Sequence, residues 1–120
     1  MAHAMLPRKE EFVKGEKKYN PAKFVDTSIQ SMVEALLALG CLRSHLVAKV
    51  IGGAQMFPIL ASRMDVGQRN IVAARDTLKQ LEIPLVGEDT GGNRGRTVYF
   101  NLETGEVEVK YAQGRGSIRI

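Results

Sequence analysis

The sequence holds one cysteine, no tryptophan, four prolines and two histidines among 120 residues. A lone Cys41 excludes any disulfide within the chain, and Cys41, His3 and His45 match no zinc-ligand spacing. With three tyrosines and four phenylalanines, a base-stacking platform for single-stranded nucleic acid is poorly supplied. Long apolar runs are also missing. The longest, residues 35–42, ends at Arg43, far short of the roughly 18 residues a membrane span needs. Residues 1–7 are too short for a signal-peptide core and run into Arg8, Lys9, Glu10 and Glu11. The expectation is a cytoplasmic protein without membrane insertion.

What is present reads as an ordinary globular chain, 44% hydrophobic and 25% charged, large enough for one domain over residues 1–120. The net charge of +4 raises the question of nucleic acid. Acidic residues are interleaved with the basic ones, however: Glu10, Glu11 and Glu16 stand among Arg8, Lys9, Lys14, Lys17, Lys18 and Lys23. That pattern suits a solvated mixed-charge surface better than a phosphate track.

Residues 8–23 are polar and aperiodic and read as a surface loop. Asp26, Thr27 or Ser28 can cap a helix, because a side-chain oxygen there satisfies otherwise orphaned amides. Ile29, Met32, Val33, Leu36, Leu37 and Leu39 then form an apolar stripe, which Gly40 ends. Residues 46–51 have strand character and stop at Gly52-Gly53. Asp65 can cap a second helix with Ile71, Ala74, Leu78 and Leu81 inward and Arg69 and Arg75 outward. Pro84 closes it, Leu85-Val86 reads as a short strand, and residues 89–95 are turn-rich. Val98, Phe100 and Leu102, then Val107 and Val109, alternate about a turn at Glu103-Thr104-Gly105, as in a hairpin with one buried face. Residues 118–120 fit no element. The order implies an α/β domain with a mixed sheet packed by two main helices.

Four features invite chemistry. Gly52-Gly53-Ala54-Gln55-Met56-Phe57 follows a strand, but it lacks both the Lys-Ser/Thr of a phosphate loop and the GxGxxG spacing, so a tight turn is the simpler reading. Gly91-Gly92-Asn93-Arg94-Gly95-Arg96 offers successive amides and two guanidinium groups that could hold an anion, or a bent connection into the hairpin. Cys41 with His45 four residues on suggests a nucleophile, yet an apolar helix end without an activating group suits an inert buried thiol. His45 reads as a surface residue. His3 alone carries no signal in composition.

Taken together, Met1-Ala-His3-Ala-Met-Leu-Pro7, the Asp26-headed helix ending at Leu39-Gly40, Ala48-Lys-Val-Ile-Gly-Gly-Ala-Gln-Met-Phe57, Gly67-Gln-Arg-Asn70, Glu88-Asp-Thr-Gly-Gly-Asn-Arg-Gly-Arg96 and the closing hairpin resemble the CheD family in order and over residues 1–110. The resemblance implies a chemoreceptor protein-glutamine deamidase that uses a cysteine thiolate, an activating histidine and an orienting threonine, with no metal or organic cofactor. It also implies a fold similar to the deamidating domains of certain bacterial toxins, chemoreceptor cytoplasmic helices as substrate and a CheC-type phosphatase as partner. His3 falls on the family's histidine. Gly52, Gly53, Ala54, Met56, Asn70, Gly91 and Gly92, in the matching glycine-rich segments, become candidates for substrate or partner contact.

The family's cysteine and threonine belong to a glycine-rich segment ahead of that histidine, and this sequence shows none before His3. Cys41 lies outside the motif. The expectation is an N-terminally incomplete chain that is inactive as written. A non-catalytic module binding a CheC-type phosphatase or a chemoreceptor is the alternative, and a small RNA-binding domain is a distant third.

Overall fold

Phe24 decides where the first helix begins. In a computed structural model that describes residues 1–15, 17–55 and 65–120, α1 spans Val25–Ala38 and its N-cap is Phe24, not Asp26, Thr27 or Ser28. Phe24 is 3% exposed and lies beside Leu6 in a parallel bridge, with the rings of Phe12 and Tyr19 at 6.1 and 6.2 Å. The Val25 amide donates to the Leu6 carbonyl at 2.8 Å, so tertiary contact supplies the acceptor that a capping side chain would otherwise provide. Asp26 accepts instead from the amides of Lys9 (3.1 Å) and Thr27 (2.9 Å). Its negative charge still complements the helix start. The expected loop before α1 includes short 3-10 turns at Lys9–Glu11 and Pro21–Lys23.

Along α1, Val25, Ile29 and Val33 are buried, and Met32, Leu36 and Leu37 are half-buried. Leu39 departs from the expected stripe. It caps the C-terminus outside the helix and is 82% exposed, and Gly40 turns the chain at φ +98°. Helix α2, Val66–Gln80, starts as its sequence suggests, with the Asp65 carboxylate accepting from the Gln68 amide at 2.7 Å. It buries Ile71, Ala73, Ala74, Thr77 and Leu78. Arg69 and Arg75 point outward and bond Glu11 and Glu88. Leu81, half-buried, is the C-cap, and its carbonyl accepts from the Arg43 guanidinium at 2.6 Å, a cation well placed at a helix C-terminus.

Two strands flank α2 in the chain. Strand β1, Ala48–Gly52, pairs in parallel with β2, Leu85–Thr90. Joining parallel strands requires a long crossover, here containing α2. Strand β1 begins two residues later than its pattern suggests. Strand β2 runs past Leu85-Val86, because Glu88, Asp89 and Thr90 pair with Val50, Ile51 and Gly52. One core joins Val25, Ile29 and Val33 of α1 to Ala73, Ala74 and Leu78 of α2 and to Ile83, with Ala48, Val50 and Leu85 packed against them. Burial of this kind contributes about 25 cal/mol per Å2 of apolar surface removed from water.

The second sheet is antiparallel: β3, Arg96–Phe100, β4, Val107–Tyr111, and β5, Ser117–Arg119, in the order β3-β4-β5. Central β4 buries Val107 and Val109 at 4% and 0% exposure. Phe100 and Leu102 are exposed, against the expected buried face. Among the described residues strand β3 is an edge with β4 as its one paired neighbour, and Leu102 falls in the turn beyond it. The unplaced tail supplies β5. Lys49 of β1 ties the sheets together, its ammonium donating to the carbonyls of Gly105 and Ile120 at 2.8 and 2.7 Å. The α/β class with parallel and antiparallel pairing and two main helices is as expected, with the pairing divided between two sheets.

Candidate functional site

Backbone hydrogen bonds bring together the two glycine segments that the sequence separates by about 40 residues. The Gly91 amide donates to the Gly52 carbonyl at 2.9 Å, and the Gln55 amide to the Gly92 carbonyl at 2.8 Å. Residues 52–55 thus form a strap held along one side by the turn that follows β2.

Its other side lies on the first turns of α2. Gly53 has φ +69°, and a Cβ there would collide with the side chain of Ile71 and sit 2.9 Å from the Gly67 carbonyl oxygen. A Cβ on Gly67 would sit 2.6 Å from the Gly53 oxygen and 2.8 Å from that of Ala54. Two backbones touch here at a distance that only paired glycines permit. Asn70, one helical turn after Gly67, faces the N-terminal segment: its Nδ2 donates to the Met5 carbonyl at 3.2 Å. That acceptor fixes the amide's orientation, because only the nitrogen can donate to a carbonyl. Its Oδ1 is buried without a partner among the described residues.

Of the residues singled out in the sequence, the structure therefore joins Gly52, Gly53, Ala54, Asn70, Gly91 and Gly92 in one continuous set of contacts. His3 is two residues from Met5 on the segment that Asn70 holds. It is exposed and makes no hydrogen bond or ion pair among the described residues. Met56 lies outside the described residues. Cys41 is not brought to this site. It follows the C-terminal end of α1, its amide bonded to Leu36, whereas Leu6 bonds Val25 at the N-terminal end. Those ends are separated by a rise of about 20 Å. Cys41 is also exposed, not buried as its apolar neighbours suggested, because Leu39 and Leu42 around it are exposed too. His45 is a surface residue in the turn Arg43–His45.

The hairpin contributes residues that reading along the chain missed. Arg96, read as a free guanidinium, is paired: Nε donates to Asp89 Oδ2 at 2.9 Å and Nη2 to the Gly91 carbonyl at 2.9 Å, with the side chain 8% exposed. The Tyr111 hydroxyl donates to the same Asp89 oxygen at 3.0 Å. Burial, then the Asp89 acceptor and its charge, hold the Tyr111 phenol above the usual tyrosine range. Arg96 and Tyr111 are direct cross-strand partners. Counting back from the Val98–Val109 pair would have found them. Arg94 is exposed, with its guanidinium 5.8 Å from the Tyr111 ring centre. Among the described residues no three of His, Cys, Asp and Glu gather as metal ligands, and no helix is long and apolar enough to cross a membrane.

A family model described as CheD chemotactic sensory transduction matches residues 5–111. Among curated proteins, a "Probable chemoreceptor glutamine deamidase CheD" of Moorella thermoacetica is 48% identical over 113 residues, 92% of this chain and 66% of that protein. Proteins of the same name from Lachnoclostridium phytofermentans and Pyrococcus abyssi are 46% and 44% identical, covering 92% and 95% of this chain and 68% and 69% of theirs. The chain spans about two thirds of the length of these relatives.

Proposed function

The chain belongs to the CheD family, and from that premise we propose that its gene product is a chemoreceptor glutamine deamidase in which His3 is the catalytic histidine. The observation that carries this reading is the Asn70–Met5 bond. It attaches the segment bearing His3 to the helix whose first turn seats the 52–55 strap. An imidazole carried on a segment tied to that helix is suited to receive a thiol proton and to return it to a leaving amine.

In the proposed reaction a cysteine thiol gives its proton to His3, and the thiolate so formed attacks the carbon of a glutamine carboxamide. The tetrahedral intermediate collapses as His3 protonates the nitrogen, which leaves as ammonia. Water then attacks the thioester with His3 as base, releasing glutamate and restoring the thiol. Backbone amides close to the reacting carbon would stabilise its oxyanion. Neither a metal nor an organic cofactor enters this scheme. Cys41 is not the proposed nucleophile, since a helix length separates it from the Leu6 end of α1. In this reading neither the nucleophilic cysteine nor its orienting threonine is assigned to a residue among 1–120, and these residues alone would lack turnover. Gly52, Gly53, Ala54, Met56, Asn70, Gly91 and Gly92 are the proposed contacts for a receptor's cytoplasmic helix or for a CheC-type phosphatase, and the proposed location is the cytoplasm.

The test takes the gene's longest in-frame product with a purified receptor fragment and follows ammonia release and the mass gain as an amide becomes an acid. His3→Ala should lower turnover by about 100- to 10,000-fold, and Cys41→Ser should leave it nearly unchanged. Retained activity in His3→Ala would overturn the assignment. The second reading is a non-catalytic module binding a CheC-type phosphatase or a receptor. It is favoured by Leu39, Leu42 and Val47, 82%, 58% and 60% exposed. A reading frame with no cysteine ahead of His3, joined to measurable binding without ammonia release, would select it.

A further inference from the structure

The strap is fixed from two sides, and one of them leads out of the glycine segments. The Gly52 carbonyl and the Gln55 amide bond the 91–92 turn, and that turn is bonded in its own right by Arg96. One guanidinium there spans the Asp89 carboxylate and the Gly91 carbonyl, each at 2.9 Å, with a longer bond from Nη1 to the Arg94 carbonyl at 3.4 Å. Asp89 receives two donors on Oδ2, Arg96 Nε and the Tyr111 hydroxyl. Side-chain exposures of 8% for Arg96 and 17% for Asp89 mean that water competes little for these bonds.

We propose that Arg96 is a positioning residue for the 52–55 strap, acting from β3 through the Gly91 carbonyl to set the geometry of the candidate site. Direction matters here more than strength. A planar fork holds two acceptors at a fixed mutual angle, which an ammonium on a flexible stem cannot reproduce. With Gly91 held by its oxygen, its N–H points at Gly52, and Gly92 presents its carbonyl to Gln55. Loosening that fork frees the glycine turn first. Gly91 and Gly92 have φ of +81° and +71°, and no atom of the described residues lies within 4 Å of where a Cβ on either would stand, so those residues do not brace them by packing. Tyr111, opposite Arg96 in the ladder, presents its hydroxyl to the same carboxylate and keeps Asp89 facing the fork. The catalytic consequence of this role rests on the deamidase reading; the hold on the strap does not.

Amide hydrogen exchange, read residue by residue on this chain, supplies the test. In Arg96→Lys the amides of Gly91 and Gln55 should exchange about ten- to a hundredfold faster, the loss expected when a hydrogen bond to a charged group is removed. Amides inside α1 and α2 should keep their protection. Arg96→Met should behave like Arg96→Lys, because neither side chain offers the planar fork. Unchanged protection at Gly91 and Gln55 in either variant overturns the proposal, as does rescue by Lys of what Met loses. If exchange accelerates everywhere because Arg96 variants unfold, Asp89→Asn decides. It keeps the side-chain shape and removes the charge, and it should loosen the same two amides first. In the active gene product Arg96→Lys should lower kcat/KM in a protein that stays folded at the assay temperature. A wild-type protein without deamidase activity counts against the functional reading, and the exchange result then decides the role of Arg96.

Discussion

The dry core and the glycine seam are held by different physics, although α2 takes part in both. In the core, Ala73, Ala74 and Leu78 meet α1 through apolar contact, and the stabilisation is proportional to area and indifferent to direction. At the seam, Gly67 and Asn70 of the same helix meet the strap and the N-terminal segment through backbone contact and single hydrogen bonds. Little area is buried there and orientation is everything. One helix thus serves as a floor at one end and a template at the other. Damage to the floor should show as lost stability, and damage to the template as misplaced atoms in a folded protein.

Leu78→Ala is the largest test of that division. Leu78 is 5% exposed within the core cluster, and its truncation should destabilise the protein by about 2–5 kcal/mol through lost transfer energy and a cavity. The measurement is the urea midpoint with amide exchange alongside. Exchange at Gly91 and Gln55 should rise no further than global unfolding requires. Selective loosening of those two amides would show that core and seam are one unit.

Gly67→Ala should cost less stability and disturb more of the site. Its new Cβ would meet the carbonyl oxygens of Gly53 and Ala54 at 2.6 and 2.8 Å, both backbone atoms that cannot rotate away. Overpacking of this kind costs about 1–3 kcal/mol. Alanine's better helix propensity returns about 1 kcal/mol of that. The net loss is therefore smaller than for Leu78→Ala, while NMR shifts of residues 52–55 and 91–92 should move clearly. A more stable variant with unmoved strap resonances would refute the close approach.

The same division explains what could be read from the sequence. Core elements announce themselves by period: Ile71, Ala74 and Leu78 recur at helical steps, Asp65 stands at the cap, and Val107 and Val109 alternate in the strand. Failures came where a distant partner overrides a local signal. Asp26 is a better intrinsic cap than Phe24, but the Leu6 carbonyl and the Phe12 and Tyr19 rings fix the start at Phe24. Asp89 and Thr90 read as turn residues and are strand, because β1 offers them a parallel ladder. At the seam, the glycine segments were visible as motifs. Their pairing, and the use of Arg96 within it, depended on long-range contacts that no period encodes.

The smallest predicted effect concerns pH and bears on the polar end of the seam alone. Burial and the Asp89 carboxylate raise the Tyr111 pKa in the folded state, so the neutral phenol is favoured on folding. A group with a raised folded pKa contributes stability that is complete below its unfolded value, about 10 for tyrosine, and that fades as pH climbs through the folded value. The wild-type protein should therefore be more stable than Tyr111→Phe at neutral pH, and the gap between them should close above about pH 10. Urea midpoints of both proteins measured from neutral to alkaline pH test this, since Tyr19 and Tyr99 are common to both and cancel. Because the hydroxyl's bond among the described residues ends on Asp89, the closing gap should be accompanied by faster exchange at Gly91 and not by any change within α1. A gap that stays constant into strong alkali would mean that the Tyr111 hydroxyl does not brace Asp89, and that Arg96 alone orients the carboxylate.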